Sequence, residues 1–215
     1  MNTISKTKIQ IEKVQNSKLP LVDFGNIQFG KIFSDHMFMA DYKNGEWQDL
    51  KILPFAPIEL SPSCAALHYG QAVFEGMKAY KNSKNEIMLF RPFDNAKRIN
   101  TSAKRLCMPE IPEELFIDAI KQLVEIDADW VPAIEGHSLY IRPFLFASEE
   151  LLGVRPSEEY KFMIITCPVG SYYNEEVHVK IETEFSRASE GGVGFAKAAG
   201  NYATALYPAK LGQDK

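Results

Sequence analysis

One lysine in this chain sits between two glycine-rich turns, in Gly191-Gly192-Val193-Gly194-Phe195-Ala196-Lys197-Ala198-Ala199-Gly200-Asn201-Tyr202. Glycines let a backbone take positive φ and approach a ligand closely. A lysine held there away from bulk water loses its proton more readily and becomes a nucleophilic amine. Such an amine suits a Schiff base with a carbonyl compound. The same residues also fit a surface loop with an ordinary solvated lysine, the commoner fate of that side chain. A nucleotide phosphate loop is excluded, because it needs glycine directly before the lysine and Ser or Thr directly after. Here Ala196 and Ala198 stand in those places, and the dinucleotide glycine spacing fails as well.

The elements that must position this lysine are read from periodicity. Strand candidates fall at 37–41, 48–52, 86–90, 137–147, 160–167 and 177–185, each apolar-rich and bounded by turn residues. The last alternates cleanly, with Val177, Val179, Ile181 and Thr183 on one face. A first helix is predicted with Asp94 as its N-cap after Pro92. Its buried stripe is Ala96, Ile99, Ala103, Leu106 and Cys107, and Lys97, Lys104 and Arg105 lie opposite. A second helix starts at Pro112, with Glu113 and Glu114 favouring its positive end. Leu115, Phe116, Ala119, Ile120, Leu123 and Val124 form its apolar face. Residues 1 to about 30 read as an arm lying on another element, and an alanine-rich helix begins after Lys197. This arrangement predicts an α+β fold rather than a run of βαβ units.

With 215 residues and a net charge of −4, the chain carries no electrostatic footprint for nucleic acid. No apolar run reaches membrane-spanning or signal-peptide form. Cys64, Cys107 and Cys167 form no CxxC pair, so neither a zinc site nor a disulfide framework is expected. Reduced, mostly buried thiols in a cytoplasmic protein are the expectation.

Six ordered motifs resemble the branched-chain amino acid aminotransferases, a family of fold-type IV pyridoxal-phosphate enzymes. They run from Phe33-Ser34-Asp35-His36-Met37 through the segment Leu67 to Tyr80, which includes Tyr69, Phe74, Glu75 and Gly76. They continue through Phe90-Arg91-Pro92-Phe93-Asp94-Asn95-Ala96-Lys97-Arg98, Ser138-Leu139-Tyr140-Ile141-Arg142-Pro143 and Cys167-Pro168-Val169-Gly170-Ser171-Tyr172, and end at the Lys197 loop.

The resemblance implies a two-domain fold. Residues 1–168 would form a small α+β domain, 169–176 an interdomain loop, and 177–215 the start of a cofactor-binding domain otherwise largely absent. It implies pyridoxal 5′-phosphate joined to Lys197 as a Schiff base. Lys197 would also shuttle the proton, Tyr202 would bond the cofactor's phenolic oxygen, and Arg98 would grip its phosphate. Tyr140, Arg142 and Phe74 would form the substrate pocket, with Arg142 meeting the side-chain carboxylate of glutamate or 2-oxoglutarate. Tyr69 would reach a partner's pocket in a homodimer with shared sites, and Tyr172 would help close the site. The implied reaction moves the amino group of leucine, isoleucine or valine to 2-oxoglutarate. No metal, nucleic acid or membrane is implied.

On the residues alone, Arg98 also fits a solvated helix face, Tyr202 a core aromatic, and Arg142 a cross-strand ion pair. Two features depart from the family pattern. Ala199 replaces one glycine before Asn201-Tyr202, and the family's acidic partner for the pyridine nitrogen lies beyond Lys215. The 215-residue chain by itself is therefore expected to be inactive. Other enzymes of the same fold, D-amino acid aminotransferases or aminodeoxychorismate lyases, stay open as alternatives, as does a non-catalytic dimerising fragment.

Overall fold

Short apolar segments broken by turn residues favour strands, and the computed structural model, which describes residues 8–171, 176–177 and 179–213, joins them into one sheet. In chain order the elements are β1 (Gln10–Ile11), β2 (His36–Lys43), β3 (Glu46–Pro54), α1 (Ala65–Tyr69), β4 (Ala72–Phe74), β5 (Met77–Lys81), β6 (Ile87–Leu89), α2 (Pro92–Arg105), α3 (Glu113–Ile126), β7 (Ser138–Ala147), β8 (Tyr160–Val169), α4 (Gly200–Ala203) and α5 (Leu206–Gln213). The strands lie in the order β1-β3-β2-β8-β7-β5-β6, and β4 pairs with β7 alongside β5. The β1–β3 pair is parallel and the remaining pairs are antiparallel. Asn44 and Gly45 join β2 to β3 with φ of 54° and 83°, the two positive values a tight hairpin turn requires.

The apolar stripes of α2 and α3 cover one face of this sheet. Ala96, Ile99 and Ala103 of α2, and Leu115, Phe116, Ala119, Ile120 and Leu123 of α3, share a core with Leu139, Ile141 and Leu145 of β7 and with Phe162 and Ile164 of β8. Burying one such leucine, isoleucine or phenylalanine contributes about 1.5–3 kcal/mol. The other face carries a smaller cluster, Met37, Cys64, Phe146 and Met163. Alternation along β7 therefore sends Leu139 and Ile141 to the helices and Tyr140 and Arg142 to the opposite side.

Several expectations are corrected. Asp94 is not the N-cap: Arg91 stands there with φ 51°, and Asp94 lies in the first turn, accepting a 2.5 Å bond from Arg91 Nε. Helix α2 stops at Arg105, so Cys107 is not part of its stripe; it takes φ 55° and is exposed. Cys64 and Cys167 are buried. Strand β8 runs on through Pro168 and Val169, past the expected start of the turn. Residues 177–185 form no strand among the described positions: no described segment pairs with them, and Val179 and Ile181 are each 86% exposed. An alternating sequence becomes a strand only where its backbone groups find a ladder partner. Strands β1, β4 and β5 and helix α1 lay outside the expected set.

The N-terminal arm does lie on the body. The Ser17 hydroxyl (2.5 Å), the Lys18 N–H (2.9 Å) and the Trp130 indole N–H (2.9 Å) all donate to buried Asp35. Burial alone would raise the Asp35 pKa, but the Ser17, Lys18 and Trp130 donors outweigh it and hold the carboxyl below its ordinary 3.8. A depressed folded pKa adds stability that is complete above the unfolded value and is lost as pH falls through the folded one. Asp35→Asn should cost about 1–3 kcal/mol at pH 7. Thermal unfolding between pH 3 and 7 should also show a shallower acid loss than in the parent.

Candidate active site

The site begins at a break in a strand. Strands β4 and β5 pair with successive stretches of β7, Ala72 to Phe74 opposite Phe146 to Phe144 and Met77 to Ala79 opposite Ile141 to Leu139. Glu75 and Gly76 lie between them. The Glu75 N–H still bonds the Pro143 carbonyl at 2.8 Å, while its side chain is fully buried. A buried carboxylate needs a charged partner and several donors. Arg98 supplies Nε at 2.5 Å and a second nitrogen at 2.7 Å, with Asn95 at 2.8 Å and the Gly76 N–H at 3.1 Å. The Glu75 pairing raises the Arg98 pKa still further above its ordinary value, against a smaller opposing effect of burial. Gly76 is needed for a different reason. A Cβ there would run into the hydroxyl of Tyr140 and stand 3.0 Å from its Cζ, so only glycine leaves the ring its place.

The Lys197 segment adds itself to the free edge of β4. The Phe74 N–H bonds the Lys197 carbonyl at 3.1 Å, and the Ala199 N–H bonds the Ala72 carbonyl at 2.9 Å. From the other side, the Lys197 N–H bonds the Ser102 hydroxyl of α2 at 2.9 Å. Asn201 ties off the turn through bonds to the Val193 and Ala196 carbonyls, both 2.8 Å. With its backbone fixed, Lys197 places Nζ 2.7 Å from the Tyr202 hydroxyl and 4.5 Å from the centre of the Phe74 ring. The Phe74 and Tyr202 rings lie 4.8 Å apart.

These side chains wall a cavity of about 770 Å³. Lys78, Arg142 and Lys197 line it, and among the described residues no aspartate or glutamate does. Arg142 lies over the Phe74 ring at 4.4 Å and donates to the Tyr140 hydroxyl at 2.8 Å. Its Nε is buried without a hydrogen-bond partner among the described residues. An unpaired buried donor is costly, and an anion entering the cavity would satisfy it.

The structure thus brings together Phe74, Tyr140, Arg142, Lys197 and Tyr202. Arg142 makes no cross-strand ion pair among the described residues. Arg98 is not in the cavity wall; two of its nitrogens are held by Glu75, although Tyr202 is close enough to act on its charge. Tyr69 lies on α1, 44% exposed and outside the wall. Tyr172 falls outside the described residues. Sequence reasoning assigned no role to Glu75, Gly76, Ser102 or Phe29. Ser102 carried a signal, a hydroxyl on an apolar helix stripe. Phe29, edge-on to Tyr140 at 5.3 Å, carried none, because only tertiary folding brings it there.

Glu75→Gln keeps the shape and removes the charge. It should cost about 1.5–3 kcal/mol, the usual range for a hydrogen bond to a charged group. At this chain length that is a fall of roughly 3–12 °C in Tm, readable by thermal unfolding.

No family model matches the chain. Individual proteins do. A probable branched-chain-amino-acid aminotransferase of Staphylococcus epidermidis is 50% identical over 217 aligned residues, covering 97% of this chain and 60% of that protein. Branched-chain-amino-acid aminotransferase 2 of Bacillus subtilis is 46% identical over 216, covering 99% and 59%. Among solved structures, a T.th. branched-chain amino acid aminotransferase with pyridoxamine 5′-phosphate is similar at TM-score 0.60 and 32% identity, covering 80% of this chain and 53% of that one. The chain spans 50–60% of the length of the curated relatives it matches. In sequence and in fold, this chain belongs to the branched-chain amino acid aminotransferase family.

Proposed function

We propose that the protein transfers the amino group of leucine, isoleucine or valine to 2-oxoglutarate with pyridoxal 5′-phosphate as cofactor. The observation that carries this reading is the Lys197 amine, 2.7 Å from the Tyr202 hydroxyl, in a cavity lined by cations. That cavity fits the cofactor's chemistry. It offers an amine for an aldehyde, a phenol for the ring oxygen, and positive charge for anionic groups. When bound, the cofactor would act as the electron sink that makes the substrate's α-proton removable.

The chain's own residues have separate tasks in this reading. Lys197 would supply the amine for the cofactor's aldehyde and would move the proton at the substrate's α-carbon. Tyr202 would donate to the cofactor's phenolic oxygen. Phe74 and Tyr140 exclude water and receive the branched side chain. Arg142, whose Nε has no hydrogen-bond partner among the described residues, would take the distal carboxylate of 2-oxoglutarate. Its stacking on Phe74 and its bond to Tyr140 keep it partnered when an aliphatic side chain occupies the pocket. Arg98 would contribute charge to the phosphate while Glu75 fixes its orientation. Tyr69, exposed on α1, would meet a partner subunit's pocket in a homodimer, and Tyr172 would close over substrate.

In the same reading the chain divides into a small domain over 1–168, a connecting loop over 169–176 and the start of a cofactor-binding domain over 177–215. Among the described residues no carboxylate lines the cavity to hold a pyridine nitrogen protonated. A cytoplasmic location accords with three unpaired cysteines and with the lack, among described residues, of a helix long and apolar enough to cross a membrane.

Transamination between leucine and 2-oxoglutarate by the full protein tests this. Lys197→Ala should lose on the order of a thousandfold or more in kcat, as removal of a covalent nucleophile does. Arg142→Met should raise KM for 2-oxoglutarate roughly ten- to a hundredfold while leaving that for leucine nearly unchanged. Activity on D-alanine without activity on L-leucine would overturn the assignment.

A further inference from the structure

We infer that Ser102 is the positioning residue that sets where the Lys197 amine stands, an inference that rests on reading Lys197 as the reacting group. Ser102 is fully buried on the stripe of α2 that also carries Ala96, Ile99 and Ala103. Helix packing alone would be served by alanine, as it is at two of those positions. Serine is the poorer helix former, and a buried hydroxyl demands partners. Its O–H donates back to the Arg98 carbonyl at 3.0 Å, the local bond that serine makes inside helices. Its oxygen then accepts the Lys197 N–H at 2.9 Å, a contact across 95 positions of sequence. That second bond is what an alanine could not make.

The consequence is geometric. Strand β4 holds the Lys197 carbonyl and the Ala199 N–H, while Ser102 holds the Lys197 N–H from the helix. The lysine's Cα is thus gripped from two elements, and its side chain runs from a fixed point to Tyr202. On the same face of α2, one turn earlier, stands Arg98, four residues back and about 6 Å along the axis. Arg98 is in turn locked to Glu75. Helix α2 therefore acts as a ruler between a cation suited to an anionic group and an amine suited to a carbonyl. An amine adds efficiently only when held within about 3–3.5 Å of its target.

Reductive trapping tests this. The Lys197 nitrogen forms a bond to the aldehyde carbon of pyridoxal 5′-phosphate, the aldehyde oxygen leaves as water, and borohydride delivers hydride to that carbon. The adduct is mapped by peptide mass spectrometry in the full protein. Ser102→Ala should lower Tm by only about 2–6 °C, trap at Lys197 about tenfold more slowly, as one lost hydrogen bond implies, and speed hydrogen exchange of the Lys197 amide. Ser102→Thr, which keeps the hydroxyl, should restore most of the rate. Ile99→Val is a buried α2 change with no hydrogen bond to the lysine, and it should trap like the parent. Equal trapping by the parent and Ser102→Ala overturns the inference alone, as does an Ile99→Val variant slowed as much as Ser102→Ala. A parent that forms no adduct at Lys197 overturns the underlying reading and this inference together.

Discussion

A fully buried carboxylate must be neutralised where it stands, and in this chain that requirement falls on Glu75. Its position at the interruption between β4 and β5 lets one side chain tie the sheet to helix α2 through Arg98 and Asn95. Everything in the candidate site follows from that tie. The residue before Glu75 is Phe74, whose ring lies against both Arg142 and Lys197. The residue after it is Gly76, whose missing side chain leaves room for Tyr140. Helix α2, held by the pair, presents Ser102 to the lysine backbone. Moving Glu75 would move the aromatic floor, the pocket tyrosine and the lysine's anchor at once.

The second organising feature is the imbalance of charge in the cavity. Three cations and no described carboxylate face the same space. Like charges held together repel, and the protein limits this with π faces and hydroxyls rather than with acids. Arg142 and Lys197 share the Phe74 ring, and each also bonds a tyrosine hydroxyl. Partners of this kind steady a cation without cancelling it, so the attraction for an anionic ligand survives. A glutamate in either tyrosine's place would have filled the role the ligand is proposed to play.

Much of this was legible in the sequence because the signals were local. Strands β2, β3, β7 and β8 and helices α2 and α3 declared themselves by period and by turn residues. The Lys197 loop stood out by its glycines, and the shared face of Tyr140 and Arg142 follows from two-residue spacing in a strand. What escaped depended on distance. Strands β4 and β5 are three and five residues long, too short to show a period, and they exist because β7 offers them an edge. The alternating 177–185 segment erred in the opposite sense, a clear pattern with no described edge to join. Arg98 was legible as a cation near a helix start, but its pairing with Glu75 depends on a contact 23 positions away. Ser102 shows the value of a local inconsistency, since a hydroxyl on an apolar stripe asks what it bonds.

In the proposed reading, the Lys197 amine and the Tyr202 hydroxyl form a ready-made seat for an aldehyde cofactor beside an anion-seeking pocket. A crystal structure of the full protein with pyridoxal 5′-phosphate tests this most directly. The cofactor's aldehyde carbon should be bonded to Lys197 Nζ, with its phenolic oxygen within hydrogen-bond distance of Tyr202. A cofactor bound to another lysine, or seated away from the cavity lined by Phe74, Arg142 and Lys197, would contradict it.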